Sequence, residues 1–417
     1  MPSVLKNGGE VGRDTDVFRI AKGALGPVVA PCTLHIKPFT ILVGPQGTGK
    51  SLVAQSLYFF EELPYLSAFA AGAQEESDGR GANVIVRYLL DRLRSSDRAF
   101  GTFANPSATI EWRRGRPFDR PDIPQDKALR FNAQSATRQI LPAKALRELV
   151  NAAVAMPREP RRHAVFIPTE RLIVSQLKRA AAGKLLNLPL TYGLFSDWLD
   201  TSAAALSTAA AGGLPAESQW VADRAETALR GAAAKYGSQW KWTFGGPTRR
   251  QFDIDMASSG QRANWPIAHI AQALFLLRQQ KAISKRFTVF VEEPEIHLHP
   301  SAQVAMVEIL AFLVRHGFRV VMTTHSLTIL YAVNNLVQAA ELGADSIEGV
   351  PDPWVRVPGQ KLAVYAFDEE GAPPRSLVQE GTWFLDETEL GRVSDELSGA
   401  LNLIGVTRAR RARRRHG

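Results

Sequence analysis

Cysteine is almost absent: the 417 residues hold one, Cys32. A lone thiol closes no internal disulfide and builds no cysteine metal cluster, which removes the disulfide-stapled secreted class and points to a reducing compartment. Long apolar runs are missing too. The longest, 267–277 and 304–314, are each broken by Gln, Glu or His and fall short of the ~18–20 residues that a bilayer span requires. Residues 1–14 lack the apolar core of a secretory leader. No repeat of 20–50 residues and no sustained a/d heptad occurs, which excludes solenoids and long coiled-coil arms. These absences predict a soluble cytoplasmic protein with no membrane partner.

A charge surplus is missing from most of the chain as well. Fifty Lys and Arg against 41 Asp and Glu give +9, but Arg408, Arg410, Arg411, Arg413, Arg414 and Arg415 supply six of these charges, and without them the balance is +3. The body is nearly neutral and the basic excess is an eleven-residue tail, 407–417, expected to be disordered. With 45% hydrophobic and 22% charged residues the remainder reads as globular, and its length suits about two or three structural units.

What is present is a run of phosphate chemistry. The apolar segment 38–43 reads as a buried strand and 52–63 as a helix. Between them Gly44-Pro45-Gln46-Gly47-Thr48-Gly49-Lys50-Ser51, followed by Leu52, matches G-x-x-x-x-G-K-[ST]. In such a P-loop, backbone N–H groups surround the phosphates, the lysine reaches the β and γ oxygens and the hydroxyl ligates Mg²⁺. A second strand, 286–292, ends in Glu292 and Glu293. By order Glu292 is expected to hold the metal and Glu293 to activate the attacking water. A third strand, 318–324, lies one helix (301–315) further on and ends at His325, which places that histidine on a neighbouring strand at the same sheet edge. Ser258-Ser259-Gly260-Gln261 precedes the helical stretch 267–277; its plain reading is a helix cap.

Strands alternating with helices indicate an α/β fold with a mostly parallel sheet. Further elements are expected as a helix at 82–95, a strand at 108–112, a helix at 137–155 and a strand at 164–167. Residues 170–240, with 13 alanines between 201 and 240, read as helices joined by a flexible turn at Gly212, Gly213 and Pro215.

In this order, P-loop, SSGQ, EEPE and THS resemble the heads of ABC-type ATPases, in the non-transport branch of RecF/SMC-like and OLD-family proteins. The stretch 292–300, EEPEIHLHP, is similar to that branch's Walker B and D-loop. The resemblance implies a P-loop NTPase head with ATP and Mg²⁺ as cofactors. Lys50, Glu293 and His325 would be catalytic, Ser51 and Glu292 would ligate the metal, and the loop 44–52 would bind nucleotide. Ser258, Ser259, Gly260 and Gln261 would be the signature that contacts the nucleotide of a second copy, making the protein a homo-oligomer. Ala257 and Ser259 depart from the usual signature Leu and Gly. Gln125, Gln134 and Gln139 are alternatives for the Q-loop. His297 and His299 fall in the D-loop and are not taken as a zinc site, and Thr169-Glu170-Arg171 either senses nucleotide or packs.

The implied boundaries are a head from 1–65 and 245–345, a mixed, largely helical inserted lobe at 66–244, a small α/β extension at 346–406, and the tail. Functionally the resemblance implies an ATP-hydrolysing switch that controls a separate effector protein, as in anti-phage defence. The 92 residues after His325 are too few for an appended nuclease domain and hold no D-x-D cluster. The alternative is a RecF-like clamp on DNA, with the arginine tail as the contact. A transporter motor fits less well, because the P-loop and the signature stand more than ~200 residues apart.

Overall fold

The computed structural model describes residues 15–58, 60–62, 109–113, 129–132, 161–172, 190–209, 213–237, 239–245, 250–367 and 372–386. The expected helices at 82–95 and 137–155, the three candidate Q-loop glutamines and the arginine tail lie outside them.

The strands are β1 (Asp16–Lys22), β2 (Ala24–Leu25), β3 (Val28–Val29), β4 (Cys32–Ile36), β5 (Phe39–Val43), β6 (Thr109–Arg113), β7 (Leu129–Asn132), β8 (Arg162–Ile167), β9 (Gly231–Tyr236), β10 (Gln239–Phe244), β11 (Gln251–Asp253), β12 (Ile283–Glu292), β13 (Arg319–Thr324), β14 (Leu362–Ala366) and β15 (Arg375–Ser376). The helices are α1, covering 50–58, α2 (Leu190–Ala209), α3 (Ala216–Leu229), α4 (Ser259–Gln279), α5 (Pro300–Arg315) and α6 (Leu327–Gln338).

A six-stranded sheet in the order β15-β14-β5-β13-β12-β8 forms the centre. All its pairings are parallel except β14 with β15. A strand buried on both faces reads as a continuous apolar run, and β5, FTILV, is buried at every position. Side-chain alternation divides it between two cores. Ile41 and Val43 join a cluster with Val289, Val320 and residues of α2 through α6. Leu42 joins another with Phe290, Val321, Val53 and Leu57 of α1, and Phe18, Ile20 and Trp112 of an antiparallel sheet ordered β4-β1-β6-β7. The central sheet is thus a middle layer between a helical layer and a layer of α1 plus antiparallel strands. Asp16 of β1 and Arg319 of β13 pair at 2.5 Å with both groups buried, joining the antiparallel layer to the middle one.

Three expectations change. The segment 66–244 is not apart from the head, because β8 pairs with β12 in the central sheet and β6 pairs with β1. The segment 346–406 likewise supplies β14, which pairs in register with the P-loop strand β5, so the head runs on to at least Ala366. Finally, the alanine-rich stretch is not all helix. Helix α3 ends where Arg230 turns left-handed (φ 55°), and Gly231–Tyr236 then pairs antiparallel with β10. Trp240 and Trp242, both buried, anchor that hairpin. Tertiary packing overrides the helical preference of Ala232, Ala233 and Ala234.

The packing around Trp240 also buries a titratable group. His269 on α4 lies 4.9 Å from the ring of Trp240 and 5.5 Å from that of Trp265. Burial, then the charge of Lys235, pushes its pKa down from 6.5 to about 3. The folded state therefore keeps His269 neutral where the unfolded chain protonates it. Its contribution is complete above about pH 6.5 and is lost as pH falls toward 3. Between pH 7 and pH 5 the loss amounts to about 2 kcal/mol of unfolding free energy. Urea unfolding at the two pH values should show this difference, and His269→Phe should reduce it by that amount.

Candidate nucleotide-binding site

Strand β5 delivers the chain to the edge of the sheet at Val43. Residues 44–49 turn back, with Gly44, Gly47 and Gly49 at φ 144°, 80° and 95°, and α1 begins at Lys50. The hydroxyl of Thr48 donates to the carbonyl of Pro45 at 2.9 Å. The Lys50 ammonium donates to the same carbonyl at 2.5 Å and to Thr48 Oγ1 at 3.3 Å. Lys50 is 4% exposed. Burial brings its pKa down to about 8 against the opposing pull of Glu293 and Glu295. A cation desolvated in a ring of backbone N–H groups at a helix N-terminus is an anion site.

The two acids at the end of β12 go separate ways. Glu292 is 3% exposed and hydrogen-bonds the Ser51 hydroxyl. It also accepts from the N–H of Thr169 at 3.2 Å and from Gln55 Nε2 at 3.5 Å. Burial raises its pKa, with the Ser51 and Thr169 bonds acting against it. Glu293 adopts φ 44°, a left-handed conformation uncommon for a residue with a side chain. Its N–H donates to the carbonyl of Thr323 at 3.0 Å, and its carboxylate lies 3.2 Å from His325 Nε2. The order β5-β13-β12 puts the histidine's strand between the P-loop strand and the acid strand, so all three ends meet at one edge.

The sequence reading overlooked Glu295. This third acid accepts from the N–H of His325 at 2.7 Å and from Thr324 Oγ1 at 2.8 Å, which joins the turn after β12 to the end of β13. Burial raises its pKa, opposed first by those two bonds. The only sequence signal was its place in EEPE, where it looked like part of a turn. Gln303 was overlooked too; its side-chain oxygen accepts from the Ser326 hydroxyl at 2.6 Å, and Ser326 caps α6.

Ser258 and Gln261 cap α4 reciprocally. Ser258 and Ser259 are exposed. Hydrogen bonds of this turn run between Ser258 and Gln261, and outward to Leu229 and Asn264, so its own P-loop is not their partner. Gly260 is needed for contact with the D-loop, since a Cβ there would stand 2.5 Å from the carbonyl oxygen of His297. Of the two D-loop histidines, His297 is exposed with φ 58°, and His299 caps α5 by accepting from the N–H of Ser301. Of Thr169-Glu170-Arg171, Thr169 bonds the Glu292 carboxylate through its N–H, Glu170 is exposed, and Arg171 is 1% exposed with its guanidinium on the backbone carbonyls of Glu292 and Glu293. No helix among the described residues is long and apolar enough to cross a membrane.

The AAA ATPase domain family matches residues 235–330, the span from β9 through the SSGQ turn and the acid pair to His325. No curated protein matches the chain. Among solved structures the chain is similar to a SmcHead bound to the C-winged helix domain of ScpA, 12% identical over 88% of this chain and 98% of that one, with a TM-score of 0.41. It is also similar to the SMC head domain from Thermotoga maritima, 12% identical over 76% and 91% of the two chains with a TM-score of 0.34. A further likeness is to the Smc head domain with an extended coiled coil bound to the C-terminal domain of ScpA, derived from Pyrococcus furiosus, 10% identical over 92% and 99% with a TM-score of 0.36. The span matched by the AAA ATPase domain family holds the acid pair and His325, and the sheet order sets these at the same edge as the glycine loop.

Proposed function

We propose that the chain binds ATP with Mg²⁺ at the 44–51 loop and hydrolyses it, using the cycle as a switch. The observation that carries this reading is the Glu293–His325 pair at 3.2 Å, beside a loop whose lysine is desolvated and whose Ser51 bonds the buried Glu292. Mg²⁺ is commonly held by one or two protein oxygens together with substrate phosphates, and Ser51 Oγ with the Glu292 carboxylate is such a set. The ion supplies charge neutralisation at the phosphates. Water attacks the γ-phosphorus, its proton passes to Glu293, the bond to the β–γ bridging oxygen breaks, and ADP and phosphate result. His325, with Nε2 3.2 Å from the Glu293 carboxylate, orients that group and reaches toward the γ-phosphate.

The exposed Ser258–Gln261 turn, unattached to its own P-loop, suits a γ-phosphate presented by a second copy. Two heads then close on two nucleotides, and the assembly controls a separate effector, as in anti-phage defence systems of the OLD-like type. Glu293→Gln tests the reading: it should lower phosphate release by about 10²–10⁴-fold yet leave ATP-dependent assembly in place.

The arginine tail favours a second reading, a clamp on DNA. Six arginines in eleven residues make a counterion-releasing contact whose strength falls steeply with salt. Removing 407–417 should then weaken duplex binding at least tenfold at low salt and flatten its salt dependence. Full binding by the truncated protein excludes the tail-mediated clamp.

A further inference from the structure

Arg171 is a buried cation with an unusual set of partners. Its Nε donates to the carbonyl of Ala263. Nη1 donates to the carbonyls of Pro168 at 3.0 Å and Glu292 at 2.8 Å. Nη2 donates to Asn264 Oδ1 at 3.2 Å and to the carbonyl of Glu293 at 2.9 Å. These five acceptors use all five guanidinium N–H groups, and none of them is a carboxylate. Burying a charge on neutral carbonyls alone is costly, and packing could be had more cheaply from an apolar side chain. Burial lowers the pKa of Arg171 to about 10, with Glu295, Glu292, Glu293 and Glu170 acting against it, so the group is charged at neutral pH.

The acceptors belong to three elements. Pro168 follows β8, Ala263 and Asn264 sit in the early turns of α4 just behind Ser258–Gln261, and Glu292 and Glu293 are the acid pair. Asn264, fully buried, extends the link by donating to the carbonyls of Gly260 at 3.0 Å and Ile296 at 2.8 Å. The SSGQ turn, the acid turn and the D-loop are therefore joined through two side chains. The carbonyl held by Nη2 belongs to the residue with φ 44°, whose conformation aims the carboxylate at His325. A left-handed non-glycine persists only where its surroundings hold it.

We infer that Arg171 is a positioning residue that couples the start of α4 to Glu293, so that displacement of the SSGQ turn by a nucleotide on a second copy is delivered to the hydrolytic carboxylate. The inference rests on the ATPase reading. Lysine cannot replace the arginine, because three donors on one nitrogen do not span three elements. The P-loop touches neither Arg171 nor Asn264 among the described bonds, so nucleotide binding and hydrolysis separate on mutation.

The test compares wild type, Glu293→Gln, Arg171→Lys, Asn264→Leu and the Arg171→Lys/Asn264→Leu double variant. Fluorescent ATP-analogue binding gives Kd, and phosphate release gives kcat. Arg171→Lys is expected to hold Kd within about threefold while kcat falls about 10–100-fold, the range for a lost partner that orients a first-contact group. Asn264→Leu should show the same split if the lysine variant does not fold. The double variant should be no slower than the slower single, because both cut one path. Turnover by both singles within about threefold of wild type, or Kd rising in parallel with the fall in kcat, overturns the inference. Wild type that binds the analogue but releases no more phosphate than Glu293→Gln overturns the ATPase reading, and this inference with it.

Discussion

Glu293→Gln is expected to lower ATP turnover by about 10²–10⁴-fold, the usual contribution of a positioned general base, while leaving ATP affinity equal or tighter. The amide keeps the shape of the carboxylate, and its oxygen can keep the position 3.2 Å from His325 Nε2 that Glu293 Oε1 holds. The left-handed turn at 293 is held by backbone bonds to Thr323 and Arg171, which the substitution does not touch, so the fold stays. What goes is the basic oxygen. Affinity moves the other way for an electrostatic reason: Glu293 is the first charge raising the pKa of Lys50, and it also repels the triphosphate. Removing it relieves the second effect at some expense of the first. Phosphate release and analogue binding on one preparation decide the matter. A variant that turns over at the wild-type rate assigns the base elsewhere, and Glu295, bonded to the backbone of His325, becomes the group to test.

The chemistry at the sheet edge was legible because it is local. A β-branched run, a glycine loop and an apolar 3.6-residue period fix strand, turn and helix within about twenty residues, and Glu292, Glu293 and His325 each end a strand with the same pattern. What was not legible depends on long-range pairing. Nothing in the composition of 346–406 tells that Leu362–Ala366 lies beside β5, because one parallel strand resembles another until its neighbour is known. The strand at Gly231–Tyr236 was hidden by alanine, whose preference is decided there by the tryptophans of the next strand. Arg171 was visible as a residue and opaque as to role. Its five acceptors are mostly backbone carbonyls, which carry no sequence signature, and four of them come from segments 92 to 122 residues away. The expectation of a separate inserted lobe at 66–244 failed for the same reason: β6 pairs with β1 from before it and β8 with β12 from after it.

Gly44→Ala should cost at least 100-fold in ATP affinity and about 2–4 kcal/mol of stability, and the cause lies outside the P-loop. Residue 44 has φ 144°, a region essentially reserved for glycine, in which other residues carry about 1–3 kcal/mol of strain. An added Cβ would also stand 2.2 Å from the carbonyl oxygen of Phe367. That oxygen cannot swing aside as a flexible side chain does. It belongs to backbone continuing β14, and the N–H of the same residue donates to the carbonyl of Val43 at 2.8 Å. Either the β5–β14 ladder opens at its end or the loop leaves its position, and in the second case Pro45 and Thr48 no longer hold the Lys50 ammonium. Gly47→Ala separates strain from crowding. Gly47 has φ 80°, also left-handed, but a Cβ there meets nothing within 4 Å, so it should cost only the backbone term of about 1–2 kcal/mol. Thermal unfolding and analogue binding of the two variants, side by side, measure the contact between the end of β14 and the P-loop. Equal losses in both would show that φ alone matters and that β14 does not brace the nucleotide site.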